Sequence, residues 1–156
     1  LLMIPLSLTK VFNPIFIEKS IKDLKLASNL FYKFLLLYLL YSLLVIFLMR
    51  YSTSFIIEFA YGSKYLSASN ILFYLLLALP FISINRLVNY SMIALGKQKL
   101  YMYYTVVGTL INFSINLYLI PIYGAFGAVI ATIITEFFIF LIGSIYVIYF
   151  FHFQQN

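Results

Sequence analysis

Apolar residues fill four long runs in this chain, at about residues 30–49, 71–95, 101–120 and 125–151, with short polar segments between them. Each is close to the roughly 20 residues, at about 1.5 Å apiece, that a helix needs to cross a hydrocarbon core. None alternates with a period of two, so a membrane β-barrel is not predicted. A fifth run, residues 1–17, is shorter and carries Pro5 and Pro14; it reads as a broken segment, the remaining end of another span. The predicted fold class is therefore all-α. Residues 1–156 are expected to form a single transmembrane domain, a polytopic helical membrane protein with four full spans plus the end of a fifth. Pro80 lies inside the 71–95 run and is predicted to kink or loosen that helix, because it removes a backbone donor.

Composition supports lipid as the solvent. The chain is 65% hydrophobic and 9% charged, whereas a soluble domain carries about 25% charged residues. Too little polar surface is present to coat a water-soluble globule. Cysteine is absent, which excludes disulfides, iron–sulfur clusters and thiolate metal sites. The one histidine, His152, stands near the C-terminal end, and acidic residues number four. No metal site, catalytic triad or phosphate loop can be assembled from this inventory. The chain is not predicted to be an enzyme, and no cofactor is expected.

The net charge of +6 would suit nucleic acid, but the basic residues fall mainly between apolar runs, which is a membrane pattern. Lys10, Lys19, Lys22, Lys25 and Lys33 precede or open the first full span, and Lys97 and Lys99 lie in the turn "GKQK". The intervening segments carry Arg50 and Lys64, and the turn "PIYG" carries no basic residue. Seven basic residues thus fall on one side and two on the other. The positive-inside rule places the seven, and the C-terminus, in the cytoplasm. Residues 18–29 read as a solvated basic loop, or alternatively as a short amphipathic helix on the inner leaflet. Residues 50–70 read as the outer loop. No secretory signal is visible, and the chain opens without Met in an apolar run; it is expected to continue a longer protein.

Against this background the stretch "INRLVNY", residues 84–90, stands out. It places Asn85, Arg86 and Asn89 in an otherwise apolar span, where a charge is costly. Arg86 lies about nine residues from the cytoplasmic end of its span, roughly 13 Å deep, and Glu136 reaches a similar depth, some 12 Å from the inner face. The two charges could form an ion pair or share a polar cavity. Arg86 could instead snorkel toward headgroups, or bind an anionic substrate, since a guanidinium grips phosphate oxygens in pairs. Glu136 could pair or pack, or it could couple transport to H+ or Na+. Thr105, Gly108, Asn112 and Asn116 follow a three-to-four spacing and mark a face turned toward neighbouring helices or a wet cavity. Gly124, Gly127, Ala128, Ala131, Thr132 and Thr135 form a small-residue face suited to close helix contact.

Residues 94–137, "ALGKQKLYMYYTVVGTLINFSINLYLIPIYGAFGAVIATIITEF", resemble the C-terminal part of bacterial polysaccharide flippases. These are the O-antigen and capsule repeat-unit exporters of the multidrug/oligosaccharidyl-lipid/polysaccharide superfamily. The resembling features are the basic turn Gly96-Lys97-Gln98-Lys99, a span with Asn112 and Asn116, its end Ile120-Pro121-Ile122-Tyr123-Gly124, then Gly127-Ala128 and Thr135-Glu136. Upstream, Tyr61-Gly62 and Tyr65 precede the next span, as in the family's outer loop.

The resemblance implies part of the C-terminal lobe of a two-lobe transporter in the bacterial inner membrane. Such a protein turns an undecaprenyl-pyrophosphate-linked oligosaccharide from the inner to the outer leaflet by alternating access. Membrane lipid and the remainder of the transporter would be its partners, and nucleic acid would not. Arg86, Asn85, Asn89, Asn112 and Asn116 are the candidate substrate-binding residues, and Glu136 is the candidate coupling or ion-pairing residue. Two other readings stay open: a drug or cation antiporter of the same superfamily, and a non-transporting membrane subunit or truncated remnant. A membrane glycosyltransferase would need large polar loops with carboxylates, which are not found here.

Overall fold

The computed structural model describes residues 3–154. Six α-helices follow one another: α1 (Met3–Lys22), α2 (Leu24–Tyr61), α3 (Ala68–Leu76), α4 (Leu79–Ala94), α5 (Gln98–Tyr123) and α6 (Ala125–Gln154). A single 3₁₀ turn, Ser63–Tyr65, lies between α2 and α3, and no strand occurs among the described residues. Four stretches are long and apolar enough to cross a membrane: Leu24–Tyr61, Ala68–Ala94, Gln98–Tyr123 and Ala125–Phe153. The fold is all-α, with four such helices and a fifth, α1, beside them.

Three boundaries differ from the sequence reading. First, α1 is not broken at its prolines. Pro14 leaves the carbonyl of Lys10 without its usual donor, yet the helix continues through it. Phe12 and Phe16, both fully buried, flank Pro14 and stack with ring centroids 4.8 Å apart, while Phe34 of α2 lies 5.0 Å from Phe12. Packing of this kind holds the two turns in register.

Second, residues 18–29 are helical on both sides of a single break at Asp23, neither a loop nor a separate short helix. α1 runs to Lys22 and α2 starts at Leu24, with the Asp23 carboxylate accepting from the backbone N–H of Lys25 at 2.7 Å. That side chain satisfies one of the unpaired donors of the new helix.

Third, α2 runs through residues 50–61, which were expected to be loop. Its 38 residues span about 57 Å, well beyond a hydrocarbon core of about 30 Å. Nothing breaks the helix until Gly62, whose φ of +89° is accessible to glycine at little steric cost.

The loosening predicted near Pro80 is present as an interruption of the helix at Leu77 and Ala78. α3 closes with Leu77 and Ala78 donating to Tyr74 and Leu75 at 3.1 Å each, an i→i−3 pattern. Pro80 then falls in the first turn of α4, where its missing N–H leaves no bond unmade.

α4 is the central helix, in contact with α1, α2, α5 and α6, while α5 packs chiefly on α6. The main core joins Phe12 and Phe16 of α1, Phe31 and Tyr38 of α2, Leu87, Val88 and Met92 of α4, and Val147 and Phe151 of α6. The Tyr38 hydroxyl donates to the Pro5 carbonyl at 2.9 Å and lies 2.6 Å from the Thr9 hydroxyl, tying α1 to α2. Long apolar faces remain outside this core. Leu40, Leu44 and Phe47 of α2 and Val106, Leu110 and Phe113 of α5 are all exposed. Such faces suit hydrocarbon, which asks nothing of a helix whose backbone groups are already paired.

Candidate functional site

Helix α4 presents Ile82, Asn85, Arg86, Asn89, Tyr90 and Ile93 along one stripe, at the three-to-four spacing that lines up a helical face. With Tyr101 of α5 and Glu136 of α6 they line a cleft of about 370 Å³. Apolar grooves of similar size also occur. One of about 410 Å³ is lined by Leu100, Tyr104, Ile142, Ile145, Tyr146 and Tyr149. The α4 cleft differs in chemistry rather than in size, because it joins a guanidinium, a carboxylate and two carboxamides.

The connection between α4 and α6 is made by Asn85. Its Nδ2 donates to the Glu136 carboxylate at 2.8 Å and to the Glu136 carbonyl at 3.0 Å. Asn85 is almost fully buried, so these bonds answer a donor that water does not reach. Glu136 and Arg86 share the cleft without forming an ion pair: the one salt bridge among the described residues joins Lys22 and Glu18. Arg86 is half-buried, and its Nε is buried with no hydrogen-bond partner. A buried donor left unmade costs about 1–3 kcal/mol, more when charged. Asn85 Oδ1 is also buried without a partner. The cleft therefore holds one unanswered cationic donor and one unanswered acceptor.

Asn89 turns to α5, where its Oδ1 accepts from the Tyr104 hydroxyl. Tyr104 Oη also lies 3.3 Å from Met92 Sδ. Behind this contact Gly143 of α6 admits close approach: a Cβ there would meet Val88 Cγ1 at 2.7 Å.

The six candidate residues divide into two groups. Asn85, Arg86, Asn89 and Glu136 line the cleft. Asn112 and Asn116 do not; they belong to the α5–α6 seam. Asn112 Nδ2 donates to Thr135 Oγ1 at 3.1 Å, and Asn116 Nδ2 donates back to the Asn112 side chain at 2.9 Å. Gly108 belongs to the same seam, where an added Cβ would lie 2.7 Å from Ile139 Cδ1. The polar stripe of α5 thus acts as adhesive between two helices. The small-residue face of α6 meets it from the other side, with Gly127 buried and Ala131 and Thr135 almost fully so.

Four cleft residues were missed in the sequence, the apolar Ile82 and Ile93 and two tyrosines. Tyr90 lies one turn beyond Arg86, and its spacing could have revealed it. Tyr101 comes from another helix in the tyrosine-rich "LYMYY", where no local signal separates it from its neighbours. Among the described residues no group of three or more His, Cys, Asp or Glu is placed to hold a metal ion. Comparison with protein-family models, with curated proteins and with solved structures yields no match to this chain.

Proposed function

We propose that this chain is part of a multi-pass transporter of the bacterial inner membrane, with its C-terminus in the cytoplasm. It turns lipid-pyrophosphate-linked oligosaccharide, an O-antigen, capsule or exopolysaccharide repeat unit, across the bilayer. The observation that carries the reading is Arg86: a guanidinium with an unanswered buried donor, in a polar cleft on an otherwise apolar helix. A charge within a spanning segment is expensive and marks a ligand or ion path by default. A pyrophosphate would accept from the outer N–H groups of the guanidinium. The headgroup is too polar to enter hydrocarbon unaided, so a lined path is required. The order of motifs in residues 94–137 points to the same class of exporter.

A second reading has its own observation. Glu136 shares the cleft and has no cationic partner within 4.0 Å among the described residues, as a proton- or cation-exchanging carboxylate would require. The experiment is turnover in vesicles containing the whole transporter of which this chain is part, with a fluorescent lipid-pyrophosphate oligosaccharide in one arm and a lipophilic cation in the other. Turnover of the first supports the flippase. Exclusive movement of the cation supports the antiporter, and movement of neither ends both readings. Glu136→Gln is expected to abolish any stimulation by a pH gradient; an unchanged response leaves the side chain with a packing role through Asn85.

Orientation has a direct test, because the chain has no native cysteine. In intact cells an impermeant maleimide is expected to label Tyr123→Cys and to label Lys97→Cys only after permeabilisation. Labelling of both from the same face would overturn the arrangement of spans.

A further inference from the structure

Three segments distant in sequence meet at one end of the bundle. Phe151 of α6 packs against Phe16 of α1 at 6.3 Å and Phe31 of α2 at 5.6 Å between ring centroids. Lys97, in the α4–α5 turn, lies over the ring of Phe150 at 5.6 Å. The α1–α2 turn, the α4–α5 turn and the end of α6 are therefore neighbours. They bring together Lys19, Lys22, Lys25, Lys97 and Lys99 with two carboxylates, Glu18 and Asp23.

Both carboxylates are already engaged. Glu18 holds Lys22 at 2.6 Å, and Lys22 together with nearby Lys19 keeps its carboxyl below the usual range. Asp23 caps α2. Lys19, Lys25, Lys97 and Lys99 have no carboxylate within 4.0 Å among the described residues. Apolar side chains project between them: Ile21 is 80% exposed, and Ile17, Leu26 and Phe153 are also exposed. The opposite end shows no such surplus. There Arg50 lies over Phe73 at 5.3 Å, and Lys64 is accompanied by Glu58.

We propose that the lysine-bearing end is a binding surface for anionic phospholipid headgroups. Lys19, Lys25, Lys97 and Lys99 meet the phosphates while Ile21 and its apolar neighbours enter the boundary between headgroups and acyl chains. Charge complementarity selects this occupant. The surplus is positive, lies where the spans end, and is interleaved with apolar side chains, which is the composition that favours an anionic lipid surface over a free anion.

The test is competition for the purified chain between phosphatidylglycerol and phosphatidylcholine of equal acyl length, read as bound lipid by native mass spectrometry. Wild type is expected to retain phosphatidylglycerol at least about fivefold better, the effect of roughly one lysine near an anionic surface. The preference should fall as salt rises, because exposed charges are screened, and inorganic phosphate should not displace the lipid. K19Q/K25Q/K97Q/K99Q is expected to bring the ratio near parity, and R50Q/K64Q at the other end to leave it unchanged. Equal retention of the two lipids by wild type, or a preference indifferent to salt, overturns the proposal. So does displacement by inorganic phosphate, or an equal loss in R50Q/K64Q. The salt series uses wild type alone, so the proposal can fail even if the fourfold variant does not fold.

Discussion

Replacing Arg86 by alanine is expected to abolish turnover of a lipid-pyrophosphate oligosaccharide, while Arg86→Lys retains a fraction of it. The side chain lies about 12 Å from the α4–α5 turn by helical rise, and its Nε is buried without an acceptor. On the proposed function, a pyrophosphate would accept from the outer N–H groups of the same guanidinium. Hydrogen bonds to a charged group are worth about 1.5–3 kcal/mol, so the alanine variant should bind such a headgroup roughly 10- to 150-fold more weakly. Lysine keeps the charge and loses the planar fork. Thermal unfolding in detergent separates loss of folding from loss of transport. Removing a cation from a spanning helix relieves a desolvation cost, so the alanine variant should unfold no earlier than wild type in detergent. Full turnover by the alanine variant at matched protein level would remove Arg86 from the substrate path.

Gly127→Ala is expected to be the most damaging of the small changes along the α5–α6 seam. An added Cβ would lie 2.4 Å from the carbonyl oxygen of Leu119, 2.5 Å from its carbon and 2.9 Å from the nitrogen of Ile120. All three are backbone atoms in the last turns of α5, so relief requires the two helices to separate. Gly143→Ala meets a movable valine methyl instead, at 2.7 Å from Val88 Cγ1, and should be milder. Overpacking of this sort costs about 1–3 kcal/mol, occasionally more. Thermal unfolding in detergent should show Gly127→Ala well below wild type, with Gly143→Ala between them. A Gly127→Ala protein as stable as wild type would mean that the turn at Gly124 does not bring α5 and α6 into backbone contact.

Much of this architecture could be read from residue order. Hydrocarbon offers backbone groups no partners, so long apolar runs become helices, and their number follows from the runs. Pro80 marked the break between α3 and α4 because a missing donor is a local fact. The spacing of Asn85, Arg86 and Asn89 placed them on one face for the same reason. Helix ends were less legible. Polar residues at 18–22 and 50–61 suggested loop, but no Gly or Pro stands there to stop a helix, and the helices continued.

Pairing between helices was a different matter. Arg86 and Glu136 reach similar depth, which invited an ion pair, yet Asn85 holds the carboxylate and Arg86 is left facing the cleft. The spacing of Asn112 and Asn116 fitted a seam between helices as well as a wet cavity, and the seam is what forms: they close on Thr135 and on each other. The sequence alone determined four runs long and apolar enough to cross a membrane, the helical class, the place of the break before Pro80 and which polar groups share a face. The tertiary structure alone decided which faces meet, which of four neighbouring polar groups remained unpaired, and that two lysine-rich turns lie side by side. Local geometry and solvent act on consecutive residues and leave their mark in order and spacing. Contacts between helices depend on how similar apolar surfaces interlock, and residues that attract lipid and partner alike carry no label for the neighbour they will find.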